Sequence, residues 1–347
     1  MKLTCVDRVA QLAPYAVPPA TAPCDLRLDG NEGRVPDAGW SETLREPSVA
    51  RQYPKVRALQ ERLAARHDVP PEQVLVTAGA DEALDRACRA LLDPSRGLVL
   101  PLPTFEMLHT YARLAGARIA EVPWPGRDYP EAAVLEAIDD ATVAVAVVSP
   151  NNPTGAVASR QTVQRVAERA PVVLLDHAYV EFADHDLTEE ALALGNVVVF
   201  RTLSKAWGLA GLRVGYAVGP PEVIGWMRRV GLPYPISGPS LRVALDQLDR
   251  QATTVDDFVA AVRTRRAALE SRLDELGVAV EPSQANFVYL RHDGSEAIRH
   301  GLAEHGIAVR GWPGHRLLGR SLRITVPATD AAQRRLLSAL DAVLAPA

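Results

Sequence analysis

The stretch VAVAVVSPNNPTG, residues 143–155, joins a run of small and β-branched apolar residues to a loop rich in proline. Similar apolar runs occur before and after it, separated by helical stretches; they are VLVTAG (74–79), GLVLPLP (97–103), RIAEVP (118–123), VVLLDHAY (172–179), NVVVFRTL (196–203) and LRVGYAVG (212–219). Continuous apolar runs that alternate with helices indicate strands buried on both faces. We therefore predict an α/β domain of three layers, α/β/α, with a mostly parallel central sheet.

The pattern changes after GPS at residues 238–240. A long amphipathic helix is predicted over roughly residues 241–276, and a smaller unit follows it. The elements predicted there are the strands NFVYLR (286–291) and SLRITV (321–326), a helix near 295–305 between them, and a last helix over 330–344. We predict an N-terminal arm over 1–45 that joins the small domain, a large cofactor-binding domain over 46–240, and a linking helix with a small α+β C-terminal domain over 241–347.

The composition favours small-molecule partners. The 347 residues include 38 lysines and arginines and 42 aspartates and glutamates, a net charge of −4, so no basic field would gather nucleic acid. No stretch approaches the roughly 20 apolar residues of a membrane span. The three cysteines, Cys5, Cys24 and Cys88, indicate neither a disulfide framework nor a metal cluster. We expect a cytoplasmic protein with no metal, nucleic-acid or membrane partner.

Polar side chains follow the predicted strands where ligands collect in such sheets. The rigid SPNNPTG loop presents Asn152, and Asp176 ends an apolar run with Tyr179 three residues later. A carboxylate after four apolar residues is unfavourable without a partner, so something cationic should face Asp176, unless the residue merely caps the next element. Lys205 follows the next strand, in TLSKAWG.

A second group of residues could hold an anion. The strand ending at Thr77 leads through small residues into a helix, whose first amides, at Ala80 and Asp81, would be free to bind a phosphate. A plain helix start remains an equally good interpretation of that turn alone. The hydroxyls of Thr202 and Ser204 and the guanidinium of Arg213 would complete the site.

Together these residues suit pyridoxal phosphate. Lys205 would form a Schiff base with an aldehyde, and Asp176 would keep a pyridine nitrogen protonated. Asn152 and Tyr179 would hydrogen-bond the ring's phenolic oxygen, and Phe105, in PTFEM, could stack on the ring or belong to the core.

The stretches LSKAWGLAGLRVGY (203–216) and SPNNPTG (149–155) resemble those of the fold type I pyridoxal-phosphate aminotransferases, specifically the histidinol-phosphate aminotransferase branch. The resemblance runs in order from LRLDGNEG (26–33) to SLRITV. It implies that Lys205 binds the cofactor and then shuttles a proton between the substrate's α carbon and the cofactor's C4′. It also implies that Tyr53, in RQYPK, reaches the phosphate of the neighbouring subunit's cofactor, so we expect a homodimer with shared active sites.

The same resemblance implies a substrate site formed by Arg323, Arg310 and Tyr15, with Asn31 and Asn152 beside them. Bidentate guanidinium contacts suit both the phosphate of histidinol phosphate and the carboxylates of glutamate or 2-oxoglutarate, the amino donor and keto acceptor that we expect. A lone arginine has little motif value, so Arg310 could instead be a solvated charge at a strand end.

Several positions depart from the family pattern. NEGR (31–34) stands where NENP is usual, His177 where a glutamate is usual, and Pro327 where a glycine is usual, while the loop GWPGHRLLGR (311–320) adds His315, Arg316 and Arg320. Because these positions lie near the substrate side, an aminotransferase for another amine in specialised biosynthesis stays open. A threonine-phosphate decarboxylase and a non-enzymatic sensor stay open as well, and His177 is interpreted as a local hydrogen-bonding group.

Overall fold

The computed structural model describes residues 5–35, 42, 44–250 and 252–344. Residues 1–4, 36–41 and 43 of the predicted arm lie outside the described residues, as do 251 and 345–347. The strands are β1 (Leu26–Leu28), β2 (Val74–Thr77), β3 (Gly97–Leu102), β4 (Arg118–Pro123), β5 (Thr142–Val148), β6 (Val172–Asp176), β7 (Val197–Thr202), β8 (Gly215–Val218), β9 (Val280–Glu281), β10 (Phe287–Arg291), β11 (Ile307–Gly311) and β12 (Ser321–Thr325).

Short and long helices connect these strands. They are α1 (Asp7–Ala10), α2 (Ser48–Arg51), α3 (Arg57–Arg66), α4 (Gly79–Leu91), α5 (Glu106–Ala115), α6 (Glu131–Glu136), α7 (Arg160–Arg169), α8 (Thr188–Leu192), α9 (Pro221–Arg229), α10 (Gly238–Arg250), α11 (Ala252–Glu275), α12 (Ser295–Glu304) and α13 (Asp330–Leu344). No helix among the described residues combines the length and apolarity that crossing a membrane requires.

The large sheet has the strand order β2-β8-β7-β6-β5-β3-β4. Only β8 runs against its neighbours, β2 and β7, so the predicted mostly parallel sheet is confirmed. Successive side chains of a strand point to opposite faces. Ala144 and Ala146 of β5 accordingly pack in the core with α4, α5 and α9, while Val145 and Val147 pack with α6, α7 and α8. The three-layer α/β/α architecture follows from these two cores.

A second, smaller sheet has the order β1-β11-β12-β10-β9. β1 lies parallel to β11, and the other pairs are antiparallel. Its core combines Leu28 of β1 with side chains of α11, α12 and α13. The linking helix predicted over residues 241–276 is covered by α10 and α11, which lie on either side of residue 251, outside the described residues. α10 packs against α2 and α3, whereas α11 packs against β10 and α13.

The sheet topology determines where the functional residues meet. β5, β6 and β7 are adjacent and parallel, so their carboxyl ends share one edge. β2 reaches the same edge, because it is antiparallel to β8, which is antiparallel to β7. A Cβ on Gly215, where β8 begins, would lie 2.4 Å from the carbonyl carbon of Gly79. Glycine is therefore required for α4 to begin this close to the sheet.

Candidate active site

A cavity of about 520 Å³ lies at this edge of the large sheet. Side chains from both sheets line it, together with the segment that follows β1. The predicted residues on its wall are Tyr15, Asn31, Ala80, Asp81, Phe105, Asn152, Asp176, Tyr179, Thr202, Ser204, Lys205, Arg213 and Arg323. The fold thus brings together residues that are separated by up to about three hundred positions in the chain.

Lys205 lies in the turn after β7. Its Nζ donates a hydrogen bond to the carbonyl oxygen of Gly30 at 3.3 Å, and it lies 5.6 Å from the centroid of the Tyr179 ring. Within the described residues Lys205 has no carboxylate partner. The amine is therefore held at the cavity wall by a neutral acceptor and by an aromatic face.

Asp176 ends β6 and is 4 % exposed. Its Oδ1 accepts a hydrogen bond from the amide of Ala178 at 3.0 Å, but no cationic side chain pairs with it among the described residues. Burial raises the pKa of Asp176 to about 7. A charged carboxylate is unfavourable here, so a cationic group inside the cavity would be stabilised by it.

The expected anion site forms at the start of α4. Ser204 Oγ accepts hydrogen bonds from Thr202 Oγ1 at 2.8 Å and from Arg213 Nη1 at 3.4 Å. Gly79 has a φ of +80°, and a Cβ there would lie 2.8 Å from Arg213 Nη2. Arg213 Nη2 also forms an ion pair with the Asp81 carboxylate at 2.8 Å, a contact that the sequence did not predict. The first amides of α4 have no acceptor within the helix.

Arg323 and Arg310 are buried beside this cavity. Arg323 Nη1 donates to Asn152 Oδ1 at 2.6 Å, and its Nη2 donates to the carbonyl of Asp29 at 2.7 Å. Burial lowers the pKa of Arg323 from its ordinary value. Arg310 lies 3.5 Å from the Glu106 carboxylate, which is its nearest counter-ion in the described residues.

A second cavity of about 500 Å³ adjoins the first. Tyr15, Phe105, Asn152 and Arg323 line both. Trp312 lies close to both arginines: its ring centroid is 5.3 Å from the guanidinium of Arg310 and 5.9 Å from that of Arg323. Sequence reasoning missed Trp312 and Glu106, although Trp312 stands two residues after Arg310 in a loop already noted as unusual.

Some predicted residues lie elsewhere. Tyr53 is 74 % exposed and stacks on Tyr234 with ring centroids 4.4 Å apart, away from both cavities. His177 is buried, with its Nδ1 3.1 Å from Thr188 Oγ1, and burial lowers its pKa to about 3. It faces away from the two cavities, as a local hydrogen-bonding residue would.

The basic loop contributes in part. His315 and Arg316 line the second cavity, and Arg316 also approaches Glu121 at 3.4 Å. Arg320 pairs with Asp293 on the exposed surface instead. Two of the three added basic residues therefore face the site.

The sequence is similar to those of known proteins over most of its length. The model of the family described as aminotransferase class I and II matches residues 25–340. An aromatic amino acid aminotransferase of Corynebacterium efficiens is 34 % identical over 92 % of this chain and 93 % of its own length. The histidinol-phosphate aminotransferase 2 of Archaeoglobus fulgidus is 36 % identical over 82 % of each chain.

A solved structure has the same fold. The crystal structure of histidinol-phosphate aminotransferase from Sinorhizobium meliloti, in complex with pyridoxal 5′-phosphate, superposes with a TM-score of 0.84 and 25 % identity. The match covers 93 % of this chain and 91 % of that one.

Proposed function

Because the chain belongs to the aminotransferase class I and II family and is thus a pyridoxal-phosphate-dependent aminotransferase, we propose that it exchanges an amino group between histidinol phosphate, or a related amine, and 2-oxoglutarate. The observation that carries the proposal is a single cavity that is lined by Lys205, by Arg323 and by Asp176, which has no cationic partner among the described residues. The residues of the anion site, Thr202, Ser204 and Arg213, line the same cavity.

The residues present fit the cofactor. The buried Asp176 lacks a cationic partner among the described residues, and a pyridinium nitrogen would supply one. The hydroxyls of Thr202 and Ser204, the guanidinium of Arg213 and the free amides of α4 are the donor set that a phosphate requires. When bound, pyridoxal phosphate supplies an aldehyde that joins primary amines and an electron-poor ring that accepts the electron pair of a broken bond.

The protein's own contribution is to hold and move protons. Asp176 keeps the ring nitrogen protonated, because a charged carboxylate in a buried site is stabilised by a cation. Lys205 would take the proton from the substrate's α carbon and return it to the cofactor's C4′, two bonds away. The Gly30 carbonyl that accepts from its Nζ is neutral, so no carboxylate among the described residues holds the amine in an ion pair.

The substrate's anionic group would lie between Arg323 and Arg310. Arg323 donates only to neutral oxygens, so its charge is not compensated by a direct carboxylate partner within the described chain. A carboxylate or phosphate would supply that compensation through two parallel hydrogen bonds. The site can therefore accept glutamate, 2-oxoglutarate and a phosphorylated amine in turn.

An aromatic amino acid is the second candidate substrate. Relatives with that name are as similar to this chain as those named for histidinol phosphate. Trp312 and Phe105 line the second cavity and could pack against a flat ring. An aromatic side chain and the imidazole of histidinol phosphate both have such a ring.

We also propose a homodimer in which Tyr53 serves the partner's cofactor. Tyr53 is too far from its own chain's cavities to line them, yet it is exposed and is held by its stacking on Tyr234. Exposed aromatic pairs are enriched at protein interfaces. Cross-linking together with a Tyr53→Phe variant mixed with a Lys205→Ala variant would test whether the sites are shared.

The absorption spectrum of the purified protein tests the function. We expect a visible band from the lysine-bound cofactor that glutamate bleaches and 2-oxoglutarate restores. Histidinol phosphate and phenylalanine, added separately, are then ranked by the rate of bleaching. Lys205→Ala is the control, and we expect it to fold and bind cofactor but to lose turnover by a factor of at least about 10³.

Four results would contradict the proposal. A band that no amino donor bleaches would exclude transamination, and release of carbon dioxide without a need for an oxo acid would identify a decarboxylase. Wild-type turnover by Lys205→Ala would exclude the assigned base. Faster bleaching by phenylalanine than by histidinol phosphate would favour the second candidate.

A further inference from the structure

The segment that follows β1 contacts three functional side chains through consecutive residues. The carbonyl of Asp29 accepts from Arg323, and the carbonyl of Gly30 accepts from Lys205. The side chain of the next residue, Asn31, donates from Nδ2 to the phenol oxygen of Tyr179 at 3.0 Å. Asn31 is 1 % exposed, so it is not a surface amide that contacts the site by chance.

The orientation of the Asn31 amide follows from its other partners. The backbone N–H of Asn31 donates to Thr325 Oγ1 at 3.0 Å, so that hydroxyl acts as an acceptor there. The same hydroxyl donates its single proton to Asn31 Oδ1 at 3.0 Å. With the amide turned over, the hydroxyl would accept twice and its proton would have no acceptor among the described residues. The remaining terminal atom of the amide is therefore the NH₂ group, and it faces the phenol of Tyr179.

The backbone is held as firmly as the side chain. The carbonyl of Asn31 accepts a hydrogen bond from Asn286 Nδ2 at 3.2 Å, and Asn31 has a φ of +52°. Asparagine tolerates this left-handed conformation better than most other residues. The residue is thus fixed by Thr325 and Asn286, both from the small domain.

A phenol that accepts from Asn31 keeps its own proton for another acceptor. The Tyr179 oxygen lies at the wall of the cavity that would hold the cofactor, and its ring is fixed edge-on against Phe287 with centroids 5.2 Å apart. We propose that Asn31 is a positioning residue: by donating to Tyr179 it directs the phenol proton into the cavity, toward the ring oxygen of the cofactor. This inference rests on the proposed function.

The consequence is electronic. A hydrogen bond to a negatively charged ring oxygen is strongest when no neighbouring positive charge compensates it. The nitrogen that joins Lys205 to the cofactor supplies that charge only while it is protonated. A phenol that donates to the oxygen therefore stabilises the deprotonated state of the nitrogen and lowers the pH at which the visible band titrates.

Other ionisable groups surround Tyr179. They are Lys205 from the turn after β7, Asp176 from β6, Arg323 from β12 and Tyr15 from the N-terminal segment. Substitutions at Asn31 and Thr325 leave all of them in place. Asn31→Asp also adds a carboxylate, whose charge would itself raise the titration. A change is therefore assigned to the phenol's proton where the uncharged substitutions Asn31→Ser and Thr325→Val shift the titration in the same direction.

The experiment is a spectral pH titration of the holoenzyme. In Asn31→Asp, the new carboxylate would accept the phenol proton, and we expect the band to titrate about one pH unit higher than in the wild type. Asn31→Ser should shift it in the same direction by less. Thr325→Val removes the hydroxyl that orients the amide and should raise the titration, whereas Thr325→Ser keeps the hydroxyl and should leave it unchanged.

The same substitutions in a Tyr179→Phe background separate positioning from a structural role. If Asn31 acts through the phenol, the uncharged substitutions Asn31→Ser and Thr325→Val have no further effect on the titration there, and Asn31→Asp keeps only the effect of its added charge. An equal shift in both backgrounds, or no shift in any variant, would overturn the inference while leaving the enzyme class intact. Should Asn31→Asp fail to fold, the Thr325 pair gives the same decision. A wild-type protein without the band would overturn the proposed function together with this inference.

Discussion

Asp176→Asn should stabilise the cofactor-free protein, and increasingly so as the pH rises. The carboxyl is 4 % exposed and has no cationic partner in the described residues, and burial raises its pKa from the ordinary 3.8 to about 7. The rise of about three pH units corresponds to about 4 kcal/mol, because each unit is about 1.4 kcal/mol. The side-chain amide removes this charge and can still accept from the Ala178 amide.

The sign follows from proton linkage. Below about pH 4 the carboxyl is protonated in both the folded and the unfolded chain, so its burial has no electrostatic cost. Between pH 4 and 7 it ionises only when unfolded, and the folded wild type loses stability relative to the variant over this range. We expect Asp176→Asn to exceed the wild type by about 1.5 kcal/mol at pH 5 and by about 4 kcal/mol at pH 8.

Urea unfolding of the cofactor-free proteins at both pH values measures these differences. Asp274→Asn, an exposed carboxylate on α11, is the matched control and should follow the wild type at both. An Asp176→Asn advantage that does not grow between pH 5 and 8 would refute the reasoning. Adding cofactor should reverse the order, because the wild type binds it more tightly and is stabilised by that binding.

Two further substitutions test the surroundings. His177→Gln should leave the pH dependence of kcat between pH 6 and 8 unchanged, because burial holds the pKa of His177 near 3 and the residue is neutral throughout this range. If the variant lost or shifted the acidic or the basic side of the pH–rate profile, His177 would have to titrate during turnover. Arg323→Lys should reduce kcat/KM for the anionic substrates by about 10²-fold in a steady-state assay, because lysine replaces the forked guanidinium that contacts Asn152 with a single point donor. Arg320→Lys, on the surface, is the control and should have no effect in the same assay.

The sequence predicted the architecture because its signals are local. The apolar runs of β5, β6 and β7 and the helices between them are strong periodic patterns, and the resulting fold was confirmed. Helical structure over residues 241–276 was predicted because this stretch contains neither glycine nor proline and keeps an amphipathic pattern, and α10 and α11 cover it on either side of residue 251.

The hydrogen bonds and ion pairs that the sequence did not predict join segments that are far apart in the chain. Asn31 was predicted as a substrate residue, but its bonds join positions 148 and 294 residues away in the chain, and no local pattern indicates them. The ion pair between Asp81 and Arg213 was likewise invisible, because the motif assigned only the backbone of Asp81 a role. A sequence motif identifies which residues meet a ligand, whereas it does not give the bonds that orient them.

The charges around the two cavities differ in how they are balanced. Arg213 and Arg310 each have a carboxylate neighbour, Asp81 and Glu106, both of which are at least 43 % exposed and can remain in water when an anion arrives. Arg323 has neutral acceptors, and its Nε has no hydrogen-bond partner in the part of the chain that the structure describes. A buried cation without a counter-ion gains most from an incoming anion. The substrate's anionic group should therefore select Arg323 first, and Arg323 lines the same cavity as Lys205.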